Sequence, residues 1–347
     1  MNKNFLALAI ALMPMAALAE PVVYGHGQVE YASYKGGTQG IGMVDNARGR
    51  IGVKSAEDLG NGMFALFKAE FKADFADGEA NEGTKVDEAS VDADCNGDGD
   101  KTDTAACTVN QQTLSKREMM VGLKAGFGTF QLGRLKSPYK YTGGIQYDPY
   151  VATVHEARGL VMSGTAGNGG GFGHNGFISD AASYRNKVGP LELWVLHSPD
   201  TGGPDGVNDP KGTVAAISYN TSNIHVFVKN VSDDVNGTQE YAATAYGAKL
   251  KFDGADLALQ IEQTETNNTE TDYMFVNLNS TTGTNTFTLN YGTKEEGVNE
   301  AKKTTIAVAH RFSKLSSLWV GHSTIETRSG ADNFDYSILS MGLRVDI

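Results

Sequence analysis

The sequence predicts an all-β chain: a sixteen-stranded antiparallel transmembrane β-barrel, with short turns at one rim and long loops at the other. Three observations carry this expectation. Segments of about ten residues with two-residue alternation recur from end to end, the length a tilted spanning strand needs. The connectors between them alternate between short and long. Beyond the N-terminus no apolar run approaches the roughly 20 residues of a spanning helix, so a membrane could be crossed only by a sheet. Lipid offers the backbone no hydrogen-bond partner, and a sheet there must close on itself.

The N-terminus reads as a secretory signal peptide, residues 1–19: Lys3, the apolar run FLALAIALMPMAALA, then Ala17-Leu18-Ala19 before Glu20. The mature barrel is expected over residues 20–347. Short connectors read EDLGNG (57–62), KAGFGT (124–129), NKVGP (186–190), YNTSN (219–223), FDGAD (252–256), NSTTGTN (279–285) and FSKLSS (312–317). Longer ones are expected near 35–46, 77–115, 137–177, 199–212, 232–239, 266–272, 294–302 and 328–335. A large soluble β-protein of the propeller or solenoid kind would show a blade-length repeat, and none is seen.

The strands carry two-faced chemistry. In GMFALFKAEFKADF (62–75) the odd positions from Met63 to Phe75 are apolar, and Lys68, Glu70, Lys72 and Asp74 share the other face. In RGRIGVKSAED, Arg48, Arg50, Gly52 and Lys54 share one parity, Ile51 and Val53 the other. In ADLALQIEQ, Leu257, Leu259 and Ile261 alternate with Ala258, Gln260 and Glu262. In SLWVGHSTIE, Leu318, Val320 and His322 oppose Trp319, Gly321, Ser323 and Ile325. The charged faces belong to a water-filled interior and the apolar ones to lipid.

The acidic run DADCNGDGDKTD (92–103) has the spacing of an EF-hand loop. Its flanks read as strands, so an EF-hand fold is excluded. What remains is an isolated oxygen-ligand site for Ca2+ in the second long loop, from Asp92, Asp94, Asn96, Asp98, Asp100 and Asp103. The other reading is a solvated acidic loop. Export permits a Cys95–Cys107 disulfide that staples this loop.

The net charge of −12 argues against nucleic acid as a partner. No enzyme constellation is found: no HExxH, no CxxC pair, no GxSxG elbow. GFGHNG (171–176) matches GxGxxG but lies in a Gly-rich loop rather than between a strand and a helix. A barrel phospholipase would need a Ser–His pair on the lipid face. No cofactor is expected beyond the calcium of the second loop.

RGRIGVKSAEDLGNGMFALFKAEF (48–71) and KREMMVGLKAGFGTFQLGRLKSPY (116–139) resemble the second-to-third and fourth-to-fifth strand signatures of the general Gram-negative trimeric porins, in the family's order and spacing. The resemblance implies a homotrimer in the outer membrane, among its lipid and lipopolysaccharide. It implies short periplasmic turns, long extracellular loops, and a third loop (137–177) folded into the barrel. It also implies passive diffusion of ions and small hydrophilic solutes. A basic wall would face an acidic loop: Arg48, Arg50, Lys68, Lys72, Arg117 and Arg134 against Asp148 and Glu156. Two of these strain the pattern. Arg117 shares parity with Val121 and Leu123, and Arg134 with Phe130 and Leu132, so Arg134 would face lipid unless Gly133 makes a bulge. The chain also ends on Ile347, where the family usually has an aromatic. The alternative class is a barrel that acts in adhesion or docking through its long loops.

Overall fold

A computed structural model describes residues 20–36, 40–44, 49–73, 75, 114–164, 172–174, 176–199, 211–235, 239–330 and 332–347. The signal segment, Arg48, and the acidic loop with Cys95, Cys107 and the six calcium candidates lie outside the described residues.

The described strands are β1 (Val22–Lys35), β2 (Ile41–Val44), β3 (Arg50–Gly60), β4 (Met63–Ala73), β5 (Leu114–Ala125), β6 (Gly128–Lys136), β7 (Phe177–Val188), β8 (Leu191–Ser198) and β9 (Lys211–Asn220). They continue as β10 (Ile224–Val235), β11 (Gln239–Phe252), β12 (Ala255–Thr266), β13 (Thr269–Thr282), β14 (Asn285–Glu296), β15 (Asn299–Arg311), β16 (Ser316–Ser329) and β17 (Asp332–Asp346). Each pairs antiparallel with its neighbour in sequence, except that β2 and β3 share one edge of β1. They are two segments of one barrel strand, so seventeen segments make sixteen staves. The ring closes where β17 pairs with β1, from His26 opposite Asp346 to Lys35 opposite Ser337. Ile347 completes the seam: its N–H donates to the Gly25 carbonyl at 2.9 Å, and Gly25 N–H donates back at 3.2 Å. Closure pairs both edges of the sheet among the described residues, as lipid requires.

Alternation decides which face meets lipid. On β12, Leu257, Leu259 and Ile261 are exposed while Ala258, Gln260 and Glu262 are buried inside. At the C-terminus Leu339, Met341, Leu343, Val345 and Ile347 all face out. The interior is not uniformly polar. On β16 the buried face carries Trp319 and Ile325, and Val320 and His322 are outside. The reason is the segment between β6 and β7, which folds into the barrel and packs against the β8–β17 side. Tyr139, Tyr147, Val161, Met162 and Phe172 of this segment meet Leu196, Val231, Phe227 and Phe275 of the wall in one apolar cluster. Each large side chain buried there contributes about 1.5–3 kcal/mol, and together they hold the loop inside.

The seven short turns fall where the sequence places them. Three of the connectors expected to be long are tight hairpins instead, and a fourth, 232–239, is shortened, with β10 paired to β11 up to Val235 opposite Gln239. β12–β13 turn on Asn267-Asn268, β14–β15 on Gly297-Val298, and β16–β17 after Ser329, which pairs with Asp332. The strands continue through the stretches 266–272, 294–302 and 328–335. Asn267, Asn268, Gly297 and Gly330 supply the positive φ that such tight hairpins require.

Candidate pore constriction

Loop 3 begins with helix α1 (Pro138–Tyr141), capped by Ser137, whose Oγ accepts from Tyr139 N–H at 3.2 Å and donates to the Phe172 carbonyl at 3.0 Å. A 3-10 turn follows (Gly144–Gln146). Its root is fixed by Lys229, whose Nζ donates to the Tyr139 carbonyl at 2.7 Å and meets His174 Nε2 at 3.0 Å. Glu262 accepts from Tyr139 Oη at 2.7 Å, Ser163 N–H at 3.1 Å and Ser163 Oγ at 2.5 Å. Ser163, His174 and Glu262 are thus in contact, but all are shut inside the packed loop. Their hydrogen bonds tie the loop to β12.

The tip of the loop is tied to the seam strands. Gln28 donates to the Ala152 carbonyl at 2.8 Å, and Glu30 accepts from Val154 N–H at 2.6 Å and from Ser340 Oγ at 2.9 Å. His155 Nδ1 and Nε2 reach Ser323 and Ser340 at 2.8 and 2.9 Å. Burial among these groups, with Lys303 nearby, pushes the His155 pKa down to about 3, so the ring is neutral at ordinary pH.

Opposite the loop, strands β3–β5 carry a charge network centred on Glu70, which is 1% exposed. Arg117 Nε donates to it at 3.0 Å, Tyr24 Oη at 2.8 Å, and Lys68 and Arg50 lie at 3.4 and 3.6 Å. A second carboxylate, Glu118, takes Lys68 at 2.5 Å and Lys136 at 3.4 Å. The sequence reading did not single out Glu70 and Glu118 for the constriction. Glu70 stands two residues from Lys68, one of its partners, in KAEFK, whereas Glu118 follows Lys116 and Arg117 in KREMM but holds Lys68 and Lys136 from other strands.

Arg117 does not face lipid, as its parity implied. Between the pairs Ala69–Met119 and Phe71–Lys116, two residues of β5, Arg117 and Glu118, oppose one of β4, Glu70. This β-bulge turns both Arg117 and Glu118 inward. Near Arg134 the register also shifts, but the extra residue sits in β7, where Asp180 has positive φ. Arg134 donates to the Arg117 carbonyl at 3.0 Å and to Ser179 Oγ at 2.7 Å. It is half-buried beside the wall and does not line the cavity described next.

Between wall and loop lies a cavity of about 560 Å³. Its cationic lining comprises Arg50, Lys72, Lys116 and Arg117 from the wall, with Lys136, Lys140 and Arg158 from the β6 end and the loop. Of the acidic residues expected on the loop, Asp148 also lines this cavity and Glu156 does not, and the carboxylates of both are engaged within the loop. Asp148 is buried, and its carboxylate accepts from Tyr150 and Ala157 N–H at 2.9 and 2.8 Å; burial raises its pKa to about 6. Glu156 is paired with Arg158 at 3.0 Å and accepts from Ala152 N–H. Among the described residues no metal-ligating cluster forms here.

The chain matches the Gram-negative porin family over residues 6–330. It is 31% identical over 158 residues to the major outer membrane protein P.IB of Neisseria meningitidis serogroup B, covering 42% of this chain and 37% of that protein. With the P.IB protein of Neisseria gonorrhoeae it shares 30% over 152 residues, 41% of this chain and 34% of that one. Each alignment thus spans little more than a third of the relative. Solved folds agree over nearly the whole length. The anion-selective porin from Comamonas acidovorans superposes with a TM-score of 0.71 at 17% identity, over 95% of this chain and all of that one. OmpF of Salmonella typhi, solved with daunomycin, gives 0.67 at 12%, over 93% and 97%. The closed ring, the inward loop and the family match agree: the chain belongs to the Gram-negative porin family, as a multi-pass β-barrel of the outer membrane.

Proposed function

We propose that the protein is a diffusion channel for small hydrophilic solutes that favours anions. One observation carries the preference: seven cations from wall and loop line the cavity against one carboxylate, Asp148, whose oxygens already accept from loop N–H groups. Glu70 and Glu118 stand behind the cations and fix their positions. A ring of fixed positive charge in a narrow, low-dielectric passage concentrates anions and repels cations. That the fold neighbour from Comamonas acidovorans is described as anion-selective is consistent with this reading. The protein works in this reading as a homotrimer, among outer-membrane lipid and lipopolysaccharide, and needs no cofactor for conduction.

In planar bilayers under a KCl gradient the zero-current potential should take the sign of chloride permeation. Arg50→Glu should move it toward cations. A cation-directed wild type overturns the preference, and a barrel that inserts without conducting would favour docking through its loops instead.

The acidic second loop is the remaining ligand candidate. A calcium site there, built from Asp92, Asp94, Asn96, Asp98, Asp100 and Asp103 and closed by a Cys95–Cys107 disulfide, would be weak, with Kd on the order of 10⁻⁴ to 10⁻³ M. Calorimetric titration of wild type against Asp92→Ala/Asp94→Ala tests it. Flat traces from both remove calcium and leave plain surface charge.

A further inference from the structure

A second cavity lies on the other side of loop 3. It measures about 230 Å³ and is lined by Arg185 and Lys187 of β7, Lys249 and Lys251 of β11, one carboxylate, Glu192 of β8, and by His225, Ser218, Asn220 and Tyr147. Pro190 and Asn220, at short turns, also line it, which puts it toward the short-turn rim. Tyr141 and Gln146 line both this recess and the larger cavity, so a solute that has passed the first meets the second next.

The charges in the recess are unequal in their pairing. Arg185 is held by Glu192 at 2.8 and 3.0 Å and lies over the Trp194 ring at 4.6 Å. Lys249 is paired with Asp256 at 3.0 Å. Lys187 and Lys251 have no ion-pair partner among the described residues. Two ammonium groups without an ion-pair partner among the described residues therefore line one small recess, beside neutral donors, a guanidinium already fixed in place, and the Glu192 carboxylate that fixes it. Such groups repel one another unless an anion sits between them, and a fixed guanidinium loses little freedom on binding one. Chloride offers one charge. A tetrahedral oxyanion offers two, with several acceptor oxygens for the ammonium, guanidinium and amide donors.

We propose that this recess is a binding site for a small doubly charged oxyanion, inorganic phosphate or a phosphate monoester, reached after the constriction. The proposal rests on the anion preference argued above, but it is read separately. Single channels in KCl are titrated with inorganic phosphate, and in parallel with glycerol phosphate, from the short-turn side. The expected result is a saturable fall in conductance with added current noise. Lys187→Gln/Lys251→Gln should raise the half-saturating concentration about tenfold, through loss of charge-assisted hydrogen bonds. Its zero-current potential in KCl alone should stay anion-directed. Lys187→Arg/Lys251→Arg should restore binding. Action of either anion supports the site, and the one acting at lower concentration names its source. The proposal falls if neither acts on an anion-directed wild type, or if the Gln variant is titrated like wild type. A cation-directed potential in KCl, with no phosphate present, would overturn the constriction reading on which the site depends.

Discussion

Lys229 and Glu262 show how single residues hold the loop. Both are buried, and their polar atoms are spent on loop 3: the Tyr139 carbonyl and His174 for the one, Tyr139 Oη and Ser163 for the other. Lys229→Met should cost about 1–3 kcal/mol, because it leaves the Tyr139 carbonyl buried without its donor. Thermal unfolding in detergent and protease cleavage within loop 3 would measure it, and stability and protection equal to wild type would refute the role given to Lys229. His155 ties the tip, and its pKa is depressed from 6.5 to about 3. Its contribution is full above 6.5 and is lost as pH falls through 3, as the ring takes a proton that the folded site rejects. His174, buried beside Lys229 and Arg158, is shifted in the same direction. Asp148 runs the other way: its contribution is present below 3.8 and declines as pH rises through about 6. Loop protection against protease should therefore fall on acidification below 6.5, and His155→Gln should flatten that dependence. An unchanged profile in His155→Gln would remove the histidine from it. The wall cations Arg50, Lys68 and Lys72 could be read from the sequence because they follow strand alternation. The occupation of Asp148 and Glu156 could not, since it depends on backbone N–H groups oriented by the fold of the loop.

At the scale of elements, the bulge in β5 is what the alternation concealed. A two-residue period assumes an unbroken ladder, and one extra residue reverses the face of everything beyond it. Arg117 looked lipid-facing for that reason, and Arg134 sits beside a second shift in β7 that its own strand does not reveal. The three tight hairpins were missed for a related reason. Their sequences are polar, like loops, because these strand ends extend into water, while paired asparagines or a glycine make the turn. Loop 3 has its own backbone requirement. Gly144 has a φ of +56°, and a Cβ there would lie 2.6 Å from His174 Nε2 and 2.8 Å from Lys229 Nζ. Gly144→Val should push the loop off its anchor while leaving the ring of strands paired. It should keep the strand signal in circular dichroism, increase proteolysis in loop 3 and alter single-channel conductance. Conductance and protection equal to wild type would mean that the loop has another hold on the wall.

At the scale of the molecule, the sequence was most legible where physics leaves least choice. A chain with spanning-length alternating segments and no spanning helix has one way to cross lipid, and the connectors give the stave number. The interior was less legible, because its apolar cluster pairs a loop with strands remote from it in sequence. The staves differ in length around the ring. β6 and β8 have 9 and 8 residues, and β3 and β4 have 11 each, whereas β13, β16 and β17 have 14, 14 and 15. A tilted strand needs about 9–11 residues to cross the hydrocarbon, so four of the six staves from β3 to β8 only just span, β5 and β7 reaching 12, while β13, β16 and β17 exceed it, with β14 and β15 at 12 and 13. Exposure of a minimal wall to lipid carries a mismatch cost of a fraction of a kcal/mol per ångström, which contact with another copy removes. The β3–β6 side also presents Phe67, Val121, Leu123 and Leu132 outward. In the proposed trimer this short side turns toward the other subunits, and the long side toward lipid. Tryptophan placed at Val121 should then be shielded from a brominated-lipid quencher, and tryptophan at Ile306 on β15 should be quenched. Light scattering in mild detergent should give three times the subunit mass, and heating should release single barrels. Equal quenching at both sites would turn the short side to lipid, and a monomeric mass with the barrel intact would end the trimer.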